Sequence, residues 1–260
     1  MDLGIKGERA LVLGGTQGLA FSAAKFLHQA GVKLALNGRD AEHGAAAVKA
    51  LGAGAAFVKG DVADPTQSAA IHERAVQALG GPVSILVTNA GGPPPGQFLE
   101  HDETAWLKAL ETNMLSALRL ARLVLPEMMT RRWGRIVNVT SFSVREPYGN
   151  LVLSNGARGG LTGAMSTIAR EVAPHGVTVN NVLPGLMDTG ALKRVYKQQS
   201  LRQNIGEDEA RRRMAESVPM KRLGEADDFG PAVAFLCSRH AAYITAQNVT
   251  VDGGLVRAVM

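Results

Sequence analysis

The stretch Leu11-Val12-Leu13-Gly14-Gly15-Thr16-Gln17-Gly18-Leu19-Ala20 decides the fold. Its apolar start reads as the end of a strand, its glycines as a turn, and Leu19-Ala20 as the opening of a helical pattern that runs to Ala30. Glycines at such a turn let the backbone approach a pyrophosphate, which then rests against the unpaired N–H groups of the helix start. The spacing is G-x-x-x-G-x-A rather than the G-x-G-x-x-G fingerprint, with Ala20 where a third small residue serves helix–strand packing. Taken alone the motif also fits an ordinary glycine-rich turn, so the rest of the chain has to decide.

Working outward, apolar β-rich runs occur at Arg9–Leu13, Lys33–Leu36, Ala55–Val58, Ser84–Thr88, Arg135–Thr140, Val177–Val182 and Asn248–Val251. Helical patterns lie between them at Leu19–Ala30, Ala41–Leu51, Thr66–Leu79, Glu103–Met129, Ser154–Ala173 and Asp227–Cys237. Strands alternating with helices predict βαβ units wound into a parallel sheet, and right-handed crossovers put helices on both faces. The strands are apolar throughout, as a sheet buried on both sides requires. The expectation is one α/β domain of the Rossmann type, spanning residues 1–260, with a doubly wound, seven-stranded parallel sheet. Residues 186–223 form an excursion before the last helix.

Composition narrows the function classes. Hydrophobic residues make up 46% and charged residues 20%, an ordinary globular mix. A single cysteine, Cys237, excludes a disulfide framework and a thiolate cluster, and the six histidines show no metal-ligand spacing. The first residues hold no apolar run of signal-peptide type, and no apolar run is long enough to span a bilayer, so a cytoplasmic protein is expected. The net charge of +5 is local: Lys193–Arg222 carries nine basic and four acidic residues, and the remainder balances. That segment holds one aromatic residue, Tyr196, which argues against nucleic-acid binding.

Further motifs follow in order: Asp61-Val62, Asn89-Ala90-Gly91, Asn113, the run Ile136-Val137-Asn138-Val139-Thr140-Ser141, Pro184-Gly185 and Val251-Asp252-Gly253-Gly254. In this order and spacing, from about Lys6 to Gly254, the chain closely resembles the short-chain dehydrogenase/reductase family. Its C-terminal part is similar to the bacterial 3-oxoacyl-carrier-protein reductase branch. The resemblance implies that Gly14, Thr16, Gly18 and Leu19 contact the pyrophosphate side of a dinucleotide. Asp61 and Val62 would flank the adenine, Asn89 and Gly91 the adenosine ribose, and Pro184, Gly185 and Thr189 the nicotinamide.

The second strand addresses cofactor choice. An NAD-binding unit places a carboxylate near the strand end for the ribose 2′-hydroxyl. Here Leu36-Asn37-Gly38-Arg39 has none before Asp40, and Arg39 offers a guanidinium suited to a 2′-phosphate. NADP(H) is expected.

At the reacting end the chain departs from the family. The resemblance implies a serine, matched by Ser141, and a Tyr-x-x-x-Lys pair thirteen residues on. Ser154 stands at the tyrosine position and Arg158 at the lysine position. An aliphatic hydroxyl is a far poorer acid than a phenol, and its side chain is shorter. Arg158 still supplies a cation for the nicotinamide ribose, but does not release its proton. Tyr148, in the loop before this helix, is the alternative acid. Asn113, Ser141, Ser154, Arg158 and Tyr148 are therefore the catalytic candidates. Three readings stay open: a divergent NADP(H)-dependent carbonyl reductase or alcohol dehydrogenase, a cofactor-binding sensor or partner subunit without turnover, and non-redox chemistry in the same pocket. The resemblance implies that the 186–223 excursion is a substrate lid, and the substrate is expected to be a small carbonyl or alcohol, drawn in by the basic segment if anionic. The resemblance also implies a homotetramer, for which the small-residue run Gly156–Ala164 and the apolar tail Leu255–Met260 are suited.

Overall fold

Parallel pairing joins every neighbouring strand of the sheet in the computed structural model, which describes residues 1–258. The strands are β1 (Arg9–Val12), β2 (Lys33–Gly38), β3 (Ala55–Lys59), β4 (Ile85–Thr88), β5 (Gly134–Val139), β6 (Val177–Pro184) and β7 (Asn248–Val251). Their order is β3-β2-β1-β4-β5-β6-β7, the expected seven-stranded sheet. The order in which strands are added reverses between β1 and β4, which opens a crevice at the carboxyl ends of those parallel strands. The tail named above for self-packing extends past the described residues at Val259 and Met260, which lie outside them.

Alternation along each strand builds two cores. Ala10 and Val12 of β1, Leu34 and Leu36 of β2, and Ile85 and Val87 of β4 face one layer, formed by α1 (Gly18–Gln29), α2 (Ala41–Leu51) and α9 (Ala226–Leu236). Leu11, Leu13, Ala35, Leu86 and Ile136 face the other, formed by α3 (Ser68–Leu79), α5 (Ser116–Thr130) and α6 (Val152–Val172). Helices on both faces are thus as expected, and Met128 fills the second core beneath Gly134.

Two predicted features differ. The single helix expected over Glu103–Met129 is broken into α4 (Glu103–Leu110), a π-helical turn at Glu111–Leu115, and α5. Hydrophobic periodicity does not register one inserted residue, whereas π turns concentrate at functional sites. The excursion is itself helical, as α7 (Gly190–Gln203) and α8 (Glu207–Ser217). No helix of the described residues is long and apolar enough to cross a membrane.

A row of polar side chains crosses the buried sheet near its carboxyl edge. Thr88, Asn138, Asn181 and Asn248 are direct register partners on β4, β5, β6 and β7. Thr88 Oγ1 donates to Asn138 Oδ1 (2.7 Å), Asn138 Nδ2 to Asn181 Oδ1 (2.9 Å), and Asn181 Nδ2 to Asn248 Oδ1 (2.8 Å). Each link satisfies a group whose burial alone is costly, so the row holds four neighbouring strands in register. Asn138→Ala leaves the Thr88 hydroxyl and the Asn181 carbonyl oxygen without their partner. We expect a loss of about 2–3 kcal/mol, read as a lower denaturant midpoint at unchanged slope; a midpoint equal to that of the unsubstituted protein would remove the row from the account.

Candidate active site

One large cleft of about 1460 Å³ runs along the carboxyl edge of the sheet, from Arg39 and Asp61 at one end to α7 at the other. The elements that end there deliver the side chains. Gly14 has φ +58°, and a Cβ on it would come within 2.7 Å of Asn89 Nδ2, so the turn after β1 closes tightly on the end of β4. Gly18 also adopts positive φ. Gln17, at the N-cap of α1, makes no side-chain cap, so the first N–H groups of the helix stay available to an anion in the cleft. At the far side of the turn, Gly15 N–H donates to the Asn37 carbonyl (3.0 Å), and the Asn37 amide ties β2 to Val58 and Gly60.

Arg39 leaves the end of β2 largely exposed, its guanidinium 3.7 Å from the Asp61 carboxylate. That separation is beyond hydrogen-bond length, so Asp61 orients the cation loosely. Thr16, Leu19, Val62, Asn89 and Gly91 line the same half of the cleft, and Pro184, Gly185 and Thr189 the middle. This donor set fits a dinucleotide: unpaired N–H groups for a pyrophosphate, a largely exposed and only loosely paired guanidinium beside the β2 end, and small residues where the backbone must approach.

The reacting end is built from four elements. Asn113 sits on the π turn, buried; its Nδ2 donates to the Ala109 carbonyl (3.3 Å) while its Oδ1 has no protein partner. Ser141 follows β5 and is 8% exposed, its Oγ 2.9 Å from Ser143 Oγ and accepting the Ser143 N–H. On α6, Arg158 points into the cleft. Its Nη1 donates to Ser154 Oγ (3.1 Å) and its Nη2 to the Ala90 carbonyl (3.4 Å), and it has no carboxylate partner among the described residues. Burial pushes the guanidinium down to about 10, which leaves it fully charged at neutral pH. A small pocket of about 10 Å³, bordered by both Asn113 and Arg158, connects these two polar groups.

Tyr148 lines the cleft, about half exposed, its ring edge-on to Phe142 with centroids 5.5 Å apart. Phe142 follows Ser141 in the chain, so the stack ties the Tyr148 loop to the residue next to the serine. Asn155 Nδ2 donates to the Tyr148 carbonyl (3.1 Å) and ties the loop to α6. Of the residues singled out from the sequence, Ser154 alone does not line the cleft. It is 4% exposed, and its hydroxyl serves as an acceptor for Arg158.

Residues 14–256 match a family model described as enoyl-(acyl-carrier-protein) reductase. The chain belongs to the short-chain dehydrogenase/reductase family. The 3-oxoacyl-(acyl-carrier-protein) reductase of Escherichia coli is 34% identical over 97% of this chain and 99% of its own. The nodulation protein G of Rhizobium meliloti is 32% identical over 96% and 98%. Among solved structures, the L-sorbose reductase of Gluconobacter frateurii, complexed with NADPH and L-sorbose, superposes with a TM-score of 0.94 at 27% identity over the whole of both chains. An actinorhodin polyketide ketoreductase with NADPH superposes at 0.92, with 31% identity over 96% and 98%. The sheet order and the two helical layers described above are thus those of a short-chain oxidoreductase fold.

Sequence reasoning missed two parts of this site. The Phe142–Tyr148 stack depends on a loop conformation that no periodicity encodes. The face that α7 turns to the cleft is also new: Arg194, Gln198 and Arg202 line it, at a spacing of four. That i, i+4, i+8 pattern was present in the sequence, but only a helical assignment for the excursion makes it a face.

Proposed function

We propose that this short-chain oxidoreductase uses NADP(H) to interconvert a carbonyl compound and its alcohol, with Tyr148 in the acid–base role that the family gives to the residue at position 154. The observation that carries the reading is the joining, in one cleft, of a dinucleotide-fitting half with Ser141, Asn113, Arg158 and Tyr148. The NADPH complexes of the sorbose reductase and the polyketide ketoreductase support the cofactor.

When bound, the nicotinamide supplies or accepts a hydride. The chain's own residues do the rest. Ser141 Oγ donates to the substrate oxygen and orients it, while accepting the hydroxyl proton of Ser143. Tyr148 delivers the proton to the developing alkoxide, or removes it in the oxidative direction. Arg158, a fixed cation, holds the nicotinamide ribose and favours negative charge on the reacting oxygen. Ser154 keeps the Arg158 guanidinium in place and takes no proton.

Arg39 gives this reading a sharp test. NADPH is expected to bind at least about tenfold more tightly than NADH, because only its 2′-phosphate pairs with the guanidinium. Arg39→Ala removes a charge-assisted contact worth roughly 1.5–3 kcal/mol and should erase most of that gap in fluorescence titrations. Equal affinities in the unsubstituted protein would rule out the assignment.

The burial of Ser154 favours a second reading, a cofactor-binding partner subunit without turnover. It shares the Arg39 prediction and parts from the first at hydride transfer.

A further inference from the structure

The excursion sorts its arginines. On α8, Arg212 and Arg213 pair with Glu209 and Glu216, and Arg211 pairs with Asp188; past that helix, Arg222 pairs with Asp228. On α7, Arg194 and Arg202 have no carboxylate partner among the described residues, and both line the cleft. They stand eight residues apart on one helix face, about 12 Å along the axis at 1.5 Å per residue, with Gln198 between them. Lys193 and Lys197 are exposed on the same helix and do not line the cleft. The residues with planar, bidentate guanidinium groups therefore face the cleft, and the point-charge lysines face solvent.

The surroundings sharpen the ligand. Leu192 and Val195 line the cleft beside Arg194, so the approach to the cations is apolar. Lys108 of α4 adds a third cation to the lining. Among the described residues, the only carboxylates that line the cleft, Asp40 and Asp61, lie at the Arg39 end, remote in the chain from α7. Among the described residues no carboxylate lines the α7 end, and the nearby Asp188 is paired with Arg211.

We infer that the substrate is a carbonyl or alcohol compound whose apolar chain ends in an oxoanion, a carboxylate or a phosphate, gripped by Arg194 and Arg202 while the reacting carbon lies at Ser141. This rests on the oxidoreductase reading above and adds the substrate class. Long-range steering by the whole basic segment would act on any anion. A grip by the cleft face depends on two residues only.

Binding, rather than turnover, tests it. Straight-chain methyl ketones of equal length ending in a carboxylate, a phosphate monoester or a methyl ester are titrated calorimetrically into the NADP⁺-loaded protein. The anionic ketones are expected to bind at least about tenfold more tightly than the ester, the equivalent of one charge-assisted contact; the tighter of the two anionic arms identifies the oxoanion. Arg194→Gln with Arg202→Gln should bring the ratio of anion to ester affinity close to one. Lys193→Gln with Lys197→Gln, an equal loss of charge on the outer face, should leave the ratio as it was. A ratio near one in the unsubstituted protein overturns the inference, as does an equal fall in both double variants. A loss of NADP⁺ affinity in the arginine variant would make those residues cofactor anchors and overturn it too. Since no step requires catalysis, a protein that binds keto acids selectively but never transfers hydride would refute the oxidoreductase reading and leave this one standing.

Discussion

Tyr148→Phe is expected to lower kcat for carbonyl reduction by about 10²–10⁴-fold, the contribution of a positioned general acid, with NADPH affinity unchanged. Phenylalanine keeps the edge-on contact with Phe142, so the loop holds its conformation and only the hydroxyl is lost. Ser154→Ala is expected to change kcat by less than this by orders of magnitude, because its hydroxyl faces Arg158 and not the cleft. The two variants therefore separate the candidates for the acid. The opposite ranking would return the role to Ser154 and require a route from a buried hydroxyl to the substrate. Brisk turnover in both would mean that the proton comes from solvent or from the substrate itself.

The second large effect runs the other way. Ser154→Tyr combined with Arg158→Lys should raise turnover of simple ketones, by up to about 10²-fold if the installed phenol acts as a general acid. Residues 154 and 158 share one face of α6, and the Arg158 side chain already reaches the cleft along that face. A longer side chain at 154 is thus directed to the lumen that serine is too short to enter. Next to a cation, a phenol with an ordinary pKa of about 10 titrates lower and exchanges protons more readily near neutrality. Steady-state NADPH consumption with a panel of neutral ketones measures the gain. Unchanged turnover, in a double variant that folds and binds NADPH as before, would show that acid supply does not limit this protein.

Most of the Arg39 end of the cleft was legible from the sequence, because its lining depends on backbone. The turn at Gly14–Gly18, the strand end at Arg39 and the small residues at Gly91 and Gly185 are placed by the order of strands and helices, and that order is written in hydrophobic periodicity. The reacting half depends on side-chain direction. The i, i+4 spacing sets Ser154 beside Arg158 on α6, but does not reveal that the hydroxyl turns to the guanidinium and away from the cleft. The π turn that carries Asn113 adds a residue to a helix without altering its apolar pattern, so a single long helix was the natural expectation. The row from Thr88 to Asn248 likewise required the strand register, since four polar residues scattered over 161 positions of chain show no pattern until the sheet aligns them. In the basic segment the count of charges was plain, whereas the division between paired α8 arginines and cleft-facing α7 arginines was not.

Although serine and arginine replace the family's tyrosine and lysine, this protein is expected to transfer hydride. NADPH deuterated at the transferable position of the nicotinamide is incubated with the protein and a panel of ketones, including the anionic ones above, and the products are analysed by mass spectrometry. One deuterium is expected on the carbinol carbon, in one stereochemical configuration, with label transfer sharply reduced in Tyr148→Phe. NADPH that binds tightly and yet leaves no label in any alcohol would contradict it, and would make this chain a cofactor-binding protein and not an oxidoreductase in its own right.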